Sequence, residues 1–124
     1  MQGHPGGLEH SRYMIELSFL PQGSRWLDMG AGDGAGVRLL RELGYEARGM
    51  DLCPRGGDVE PGDFLHTPWE AASFDGILSQ CSFYVSGNVP GALQEAARLL
   101  GPGGKLVFSD VTEDVVALLN QCRT

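Results

Sequence analysis

The sequence predicts an α/β protein with a parallel sheet, and three observations lead to this fold class. Short apolar segments alternate with longer amphipathic segments along the 124 residues. A glycine-rich run at residues 28–34 follows the first apolar segment directly. A second apolar segment then ends in Asp51, 21 residues after Gly30. Strands that alternate with helices are typical of parallel sheets with right-handed crossovers. At this length we expect a single domain over residues 1–124.

The first half of the chain predicts helix, strand, helix and strand in that order. An apolar face predicts a helix over residues 8–20 that ends before Pro21; this face contains Leu8, Ile15 and Phe19. The elements that follow are a strand at residues 25–29, a helix with Val37, Leu40 and Leu43 toward the core, a left-handed cap at Gly44, and a strand at residues 45–51.

The second half begins irregularly, because the prolines and glycines of residues 52–62 leave no room for a stable helix. The predicted elements are a short strand at residues 59–64, weakened by Pro61, and a buried strand at residues 74–80. A helix is then predicted to start at Asn88 and Pro90 and to bury Leu93, Ala96, Ala97 and Leu100. It is followed by a strand at residues 105–111 and a last helix over residues 115–122.

Composition excludes several classes of protein. The chain has 16 acidic and 9 basic residues, a net charge of −7, so we expect no nucleic-acid partner. We expect no membrane span, because no apolar stretch approaches about 20 residues, and no signal peptide. The three cysteines contain no CxxC pair. They predict neither a metal site nor a disulfide framework, and they favour a cytoplasmic location.

The glycine run alone is consistent with two adenosine-containing cofactors. Gly30-x-Gly32-x-x-Ala35 fits the dinucleotide pattern, and Asp51 then suits a carboxylate that binds ribose hydroxyls. Asp28-x-Gly30-x-Gly32-x-Gly34 equally fits enzymes that use S-adenosylmethionine. A loop at this place lies where ligands of parallel sheets bind, at the carboxyl ends of the strands.

Five segments in order resemble class I S-adenosylmethionine-dependent methyltransferases, and they favour the second cofactor. They are residues 28–34, 49–52, 62–64, 73–80 and 99–106. The resemblance extends over residues 8–111. It implies a Rossmann-like, three-layer α/β/α fold with a parallel sheet of about five strands here, truncated relative to the seven-strand sheet of the family. The last two strands of that sheet are expected to be lacking.

The resemblance also implies which residues surround the cofactor. Asp51 would bind the ribose hydroxyls, Asp63 and Phe64 would surround the adenine, and Asp28 with the backbone near Gly30 and Gln80 would receive the ammonium. The complete set is Asp28, Gly30, Ala31, Gly32, Asp51, Leu52, Asp63, Phe64 and Gln80. No catalytic residue is identified; Cys81 could face an acceptor, although a small buried cysteine is the more ordinary interpretation.

These implications predict a methyltransferase that acts on a small-molecule acceptor. A non-catalytic or partial S-adenosylmethionine-binding module that needs a partner is the first alternative, and an NAD-binding domain is the second. Without further strands, the fifth strand would be an apolar sheet edge. We therefore expect a second copy or a partner chain to cover it, unless the chain is a fragment.

Overall fold

The structure is a computed structural model that describes residues 7–80 and 87–109. The elements of these residues are α1 (Gly7–Glu16), β1 (Arg25–Met29), α2 (Ala35–Glu42), β2 (Glu46–Asp51), β3 (Val59–Pro61), β4 (Phe74–Gln80), α3 (Val89–Leu99) and β5 (Leu100–Ser109). Cys81, the end of the predicted fifth strand at Val111 and the predicted last helix at residues 115–122 lie outside the described residues.

The strands form one sheet in the order β3-β2-β1-β4-β5. Every neighbouring pair is parallel. The chain builds the sheet in one direction from β1 to β3 and then crosses to the other side of β1 to begin β4. The order therefore reverses between β1 and β4, and the residues that follow β1 lie at this reversal. The predicted Rossmann-like class is confirmed.

Helices cover both faces of the sheet, which gives the predicted three layers. On one face, α1 and α2 pack over the sheet around Ile15, Trp26 and Val37. On the other face, α3 packs against a second apolar cluster that includes Leu27 and Ile77. Neighbouring residues of a strand point to opposite faces. Trp26 and Leu27 therefore belong to different clusters although they are adjacent in sequence.

Three elements differ from their predicted bounds by three residues or more. The first helix ends at Glu16, and Phe19 lies in the turn that follows with φ 57° and 84% exposed, so its predicted burial was wrong. The third strand ends at Pro61, which has no N–H group to continue the ladder. The fifth strand begins at Leu100 and includes the glycine-proline segment, with a register irregularity opposite β4.

The helix α3 begins as predicted but buries a rotated face. Asn88 caps it, accepting a hydrogen bond from the Gly91 N–H at 3.0 Å. Ala97 is exposed, which corrects its predicted burial. The buried positions are Val89, Ala92, Leu93, Ala96 and Leu99. The helix ends at Leu99, one residue before the predicted end at Leu100, because the chain enters β5 at Leu100.

The sheet edge at β5 is the place where a second copy or a partner chain is expected, and that expectation stays a prediction. Among the described residues, β5 pairs with β4 on one side and with no strand on the other.

No helix among residues 7–80 and 87–109 has the length and apolar character needed to cross a membrane.

The close approach of α2 to β2 predicts a sharp difference between two glycine substitutions. A Cβ on Gly49 would lie 2.5 Å from Val37 Cγ2 and 2.8 Å from Ala31 Cβ, whereas a Cβ on Gly57 would meet nothing within 4 Å. We expect Gly49→Ala to lower the free energy of unfolding by about 1–3 kcal/mol, as overpacking does. Gly57→Ala, the matched control, should leave it unchanged or slightly higher. Urea unfolding measures both; equal values for the two variants would contradict the packing described.

Candidate functional site

The glycine loop, residues 30–34, connects β1 to α2 at the carboxyl end of the sheet. Gly30, Gly32 and Gly34 have φ angles of 83°, 57° and 88°, in the left-handed region that favours glycine. The N–H groups of Gly30 and Ala31 both donate to the Met50 carbonyl, at 2.8 and 3.0 Å. The alternating glycines are therefore required by the backbone path, and they hold the loop against the end of β2.

Asp51, the last residue of β2, is joined directly to the glycine loop. Its Oδ2 accepts a hydrogen bond from the Gly32 N–H at 2.9 Å, and its Oδ1 accepts one from the Cys53 N–H at 2.9 Å. The carboxylate is therefore held in one orientation at the point where β1 and β2 both end. Two residues that the sequence placed in one site, Gly32 and Asp51, are in contact.

Asp28 is a buried acid beneath the same loop. It lies on β1 at 4% exposure, and a Cβ on Gly36 would overlap its carboxylate, so α2 passes directly over it. Burial, with the charges of Asp51 and Asp33 adding to it, raises the pKa of Asp28 to about 7. Removing a carboxylate from water disfavours its charged form. The site therefore contains three acids close enough to influence one another.

Gln80 marks the other side of the reversal, at the end of β4. Its Nε2 donates a hydrogen bond to the Ser11 hydroxyl of α1. Ser11 is almost fully buried, and together with His10, Met14 and Leu78 it lines a small cavity beside Gln80. The contact fixes α1 against the carboxyl end of β4. Sequence reasoning did not select Ser11, although it lies one helical turn before the buried Ile15.

The remaining predicted residues lie around the outer part of the site. Leu52 follows Asp51 and is 70% exposed. Asp63 Oδ1 accepts a hydrogen bond from the Leu65 N–H at 2.9 Å, which stabilises the turn after β3. Phe64 is buried in the apolar cluster that also contains Met50. Within the described residues, no hydrogen bond joins Asp63 to the glycine loop.

A short connection, residues 52–58, leads from β2 to β3 without a helix, as predicted. The Arg55 N–H donates to the Gly32 carbonyl at 2.9 Å, and a Cβ on Gly56 would overlap the Asp33 carbonyl. Asp58 binds Arg38 and Arg41 of α2 at 3.1 and 2.8 Å. This connection therefore lies directly against the glycine loop. Arg55 is a site residue that sequence reasoning missed, since nothing in the local pattern indicates that contact.

The fold is that of a Rossmann-like domain, and the glycine loop and Asp51 lie together at its topological reversal. The chain belongs to the methyltransferase domain family, whose pattern matches residues 9–122. It is 34% identical over 100 residues to a demethylmenaquinone methyltransferase of Tropheryma whipplei, over 71% of this chain and 42% of the relative. It is 31% identical over 133 residues to a 2-phytyl-1,4-naphtoquinone methyltransferase of Thermosynechococcus vestitus, over 93% of this chain and 59% of the relative.

Solved structures share the same fold. The YcgJ protein of Bacillus subtilis superposes with a TM-score of 0.75 at 24% identity, covering 87% of this chain and 54% of its own. Phosphoethanolamine N-methyltransferase 2 of Haemonchus contortus, solved with phosphomonomethylethanolamine and S-adenosylhomocysteine, superposes with a TM-score of 0.72 at 22% identity, covering 97% and 34%. The chain spans about two fifths to three fifths of the length of the two curated relatives described above.

The burial of Asp28 predicts a pH dependence of stability. The folded protein holds the Asp28 proton up to about pH 7, whereas the unfolded chain releases it near the ordinary value of 3.8. Between these values the folded state binds more protons, so this group makes the protein less stable as pH rises toward 7. We expect Asp28→Asn to gain stability over the wild type across this window. At about 1.4 kcal/mol per pH unit, the gain reaches on the order of 4 kcal/mol above pH 7.

The matched control is Asp58→Asn. Arg38, with Arg41, holds the pKa of Asp58 below its ordinary value, so its stabilising contribution is present above that value and is lost as pH falls. This variant should therefore be less stable than the wild type at neutral pH, the opposite sign to Asp28→Asn. Urea unfolding from pH 4 to 8 measures both differences; a difference for Asp28→Asn that does not change with pH would contradict the buried acid.

Proposed function

We propose that this chain binds S-adenosylmethionine at the carboxyl ends of β1, β2 and β4, and that the complete protein transfers its methyl group to a small-molecule acceptor. The observation that carries the proposal is the direct hydrogen bond between the Asp51 carboxylate and the Gly32 N–H, at 2.9 Å. It joins the glycine loop and the acid at the end of β2 into one rigid unit. Family membership supports the same cofactor.

The Asp51 carboxylate retains the capacity to bind a ribose. An ionised carboxylate offers about four acceptor positions. Two of them receive the N–H groups of Gly32 and Cys53. The two oxygens can each accept one more hydrogen bond, which matches the two adjacent hydroxyls of a ribose. Leu52, 70% exposed beside this carboxylate, supplies apolar surface for the adenine, with Asp63 and Phe64 beyond it.

The charge of the site suits a cationic ligand. Burial, together with the negative charges of Asp51 and Asp33, raises the pKa of Asp28 to about 7. The chain as a whole has a net charge of −7. The methionine part of the cofactor has an ammonium, and its sulfonium is also cationic, so Coulomb attraction favours binding. A dinucleotide would place an anionic pyrophosphate against the same three acids. This argument favours S-adenosylmethionine over NAD, the second alternative.

When bound, S-adenosylmethionine supplies an electrophilic methyl group on its sulfonium. The residues of this chain hold the cofactor: Asp51 orients the ribose, Asp28 and the backbone near Gly30 and Gln80 receive the ammonium, and α2 excludes water from Asp28. Methyl transfer is a displacement in which holding the acceptor in line with the methyl group supplies much of the acceleration. The proposal therefore requires no catalytic base.

The acceptor is proposed to be a small molecule, since the named relatives described above act on naphthoquinone-type compounds. A strongly acidic chain is a poor partner for nucleic acid. The alternative of a non-catalytic module that needs a partner remains, because the chain covers only part of its curated relatives. We further propose that residues 1–124 form one domain and that it acts in the cytoplasm, as the cysteine pattern favours.

Removing the Asp51 side chain tests the ribose contact. We expect Asp51→Ala to weaken the binding of S-adenosylhomocysteine by about 2–3 kcal/mol, because hydrogen bonds to a charged group are lost. Glu42→Gln, which removes one negative charge from the exposed Arg12–Glu42 pair, should leave the affinity nearly unchanged. Isothermal titration calorimetry measures both. A folded Asp51→Ala variant with wild-type affinity would refute the ribose contact, and saturable binding of NAD alone would refute the cofactor.

Transfer of a labelled methyl group tests the enzymatic part of the proposal. The complete protein is incubated with methyl-labelled S-adenosylmethionine and a panel that contains a reduced naphthoquinone, sarcosine and a malonyl thioester. We expect label in at least one acceptor, with an equal amount of S-adenosylhomocysteine released. Asp51→Ala should lower the rate at subsaturating cofactor. Saturable cofactor binding without transfer to any acceptor would favour the binding module over the enzyme.

A further inference from the structure

Arg55 covers the face of the glycine loop that the missing side chain of Gly32 leaves open. The three atoms nearest to a Cβ built on Gly32 all belong to its guanidinium: Nη2 at 2.6 Å, Cζ at 3.6 Å and Nε at 3.9 Å. The backbone of Arg55 is fixed at the same place, since its N–H donates to the Gly32 carbonyl at 2.9 Å. The side chain therefore lies back over the loop to which its own backbone is bound.

Arg55 differs from the other described arginines in its ion-pair partners. In residues 7–80 and 87–109, Arg55 forms no ion pair with a carboxylate. Each of the other six does: Arg12, Arg25, Arg38, Arg41, Arg48 and Arg98. Arg55 is exposed, so its charge stays in contact with water. Moving it away from the loop breaks no salt bridge, and the cost of that movement is small.

We propose that Arg55 is a removable cover of the cofactor site, and that the cofactor displaces its guanidinium from Gly32 when it binds. The inference rests on the proposed function, because it takes the open face of Gly32 as part of the cofactor's place. The guanidinium and a ligand cannot both occupy the space that a Cβ would fill. The cover therefore lowers the apparent affinity for the cofactor.

Charge explains why a cation occupies this position in the free protein. The loop is bordered by Asp28, Asp33 and Asp51, and the pKa of Asp28 is raised by burial and by the other two negative charges. A guanidinium above the loop meets a negative potential, as the cationic cofactor does. Arg55 thus competes with the cofactor for the negative potential of the loop as well as for the space above Gly32. The short connection of residues 52–58 makes this possible, because it places Arg55 directly against the loop.

Calorimetry on the complete protein tests the displacement, with S-adenosylhomocysteine and S-adenosylmethionine as the probes. We expect Arg55→Ala to bind both compounds about threefold to tenfold more tightly, as expected where the uncovered state is populated at roughly a third to a tenth. The matched control is Lys105→Ala, which removes the same charge at an exposed position on β5, level with Gly76 of β4. It should change neither affinity. Weaker binding by Arg55→Ala would overturn the proposal and make Arg55 a ligand of the cofactor; unchanged binding would make it a spectator.

A second measurement observes the cover without any variant. In the free wild-type protein, nuclear Overhauser contacts should join the Arg55 side chain to the Gly32 Hα protons, and adding S-adenosylhomocysteine should remove them. Persistence of these contacts in the complex, or their absence from the free protein, would overturn the proposal. If wild type and variant both bind neither compound, the proposed function fails together with it. Binding by the wild type with no change in Arg55→Ala refutes the cover alone.

Discussion

The hydrogen bonds between the glycine loop and the end of β2 are the constraint on which the rest of this site depends. Gly30 and Ala31 donate to the Met50 carbonyl, and Gly32 donates to the Asp51 carboxylate. Gly30 and Gly32 adopt left-handed backbone in this arrangement, which disfavours a side chain at these two positions. The missing side chain of Gly32 leaves space above the backbone, which the Arg55 guanidinium occupies in the free protein. One set of contacts therefore fixes both the path of the chain and the shape of the proposed binding surface.

The short connection after β2 changes what surrounds that surface. Residues 52–58 lie against the loop, fixed by the Arg55 N–H at one point and by the two ion pairs of Asp58 at another. The connection is held mainly by polar contacts and contributes little to the apolar core. Its position beside Gly32 is fixed by the Arg55 N–H, which donates to the Gly32 carbonyl at 2.9 Å.

The sequence predicted those parts of the structure whose signals are local. The strand β4 has the predicted bounds because a continuous buried run can pack on both faces, and Asn88 was recognisable as a helix cap. The contact between Asp51 and the glycine loop was predictable because strand and loop lengths bring the ends of β1 and β2 together. The burial of Phe19 was predicted wrongly, since a tight turn after Glu16 overrode the apolar period. The cover by Arg55 depends on contacts across the loop, which no local pattern records.

Asp28 lowers the stability of the free protein but suits the binding of a cation. An acid at 4% exposure, with the negative charges of Asp51 and Asp33 nearby, is destabilising when ionised, and burial raises its pKa to about 7. Asparagine in its place would avoid that cost, so the fold itself does not require the carboxylate. A cationic ligand stabilises the ionised form of Asp28, because it supplies a positive charge beside the buried carboxylate. The cost in the free protein then becomes a gain in affinity, and only for ligands that carry a positive charge. The exposed Arg55 above the same loop lowers the affinity for a cationic ligand. Its guanidinium stays in water and does not reach the buried Asp28 carboxylate.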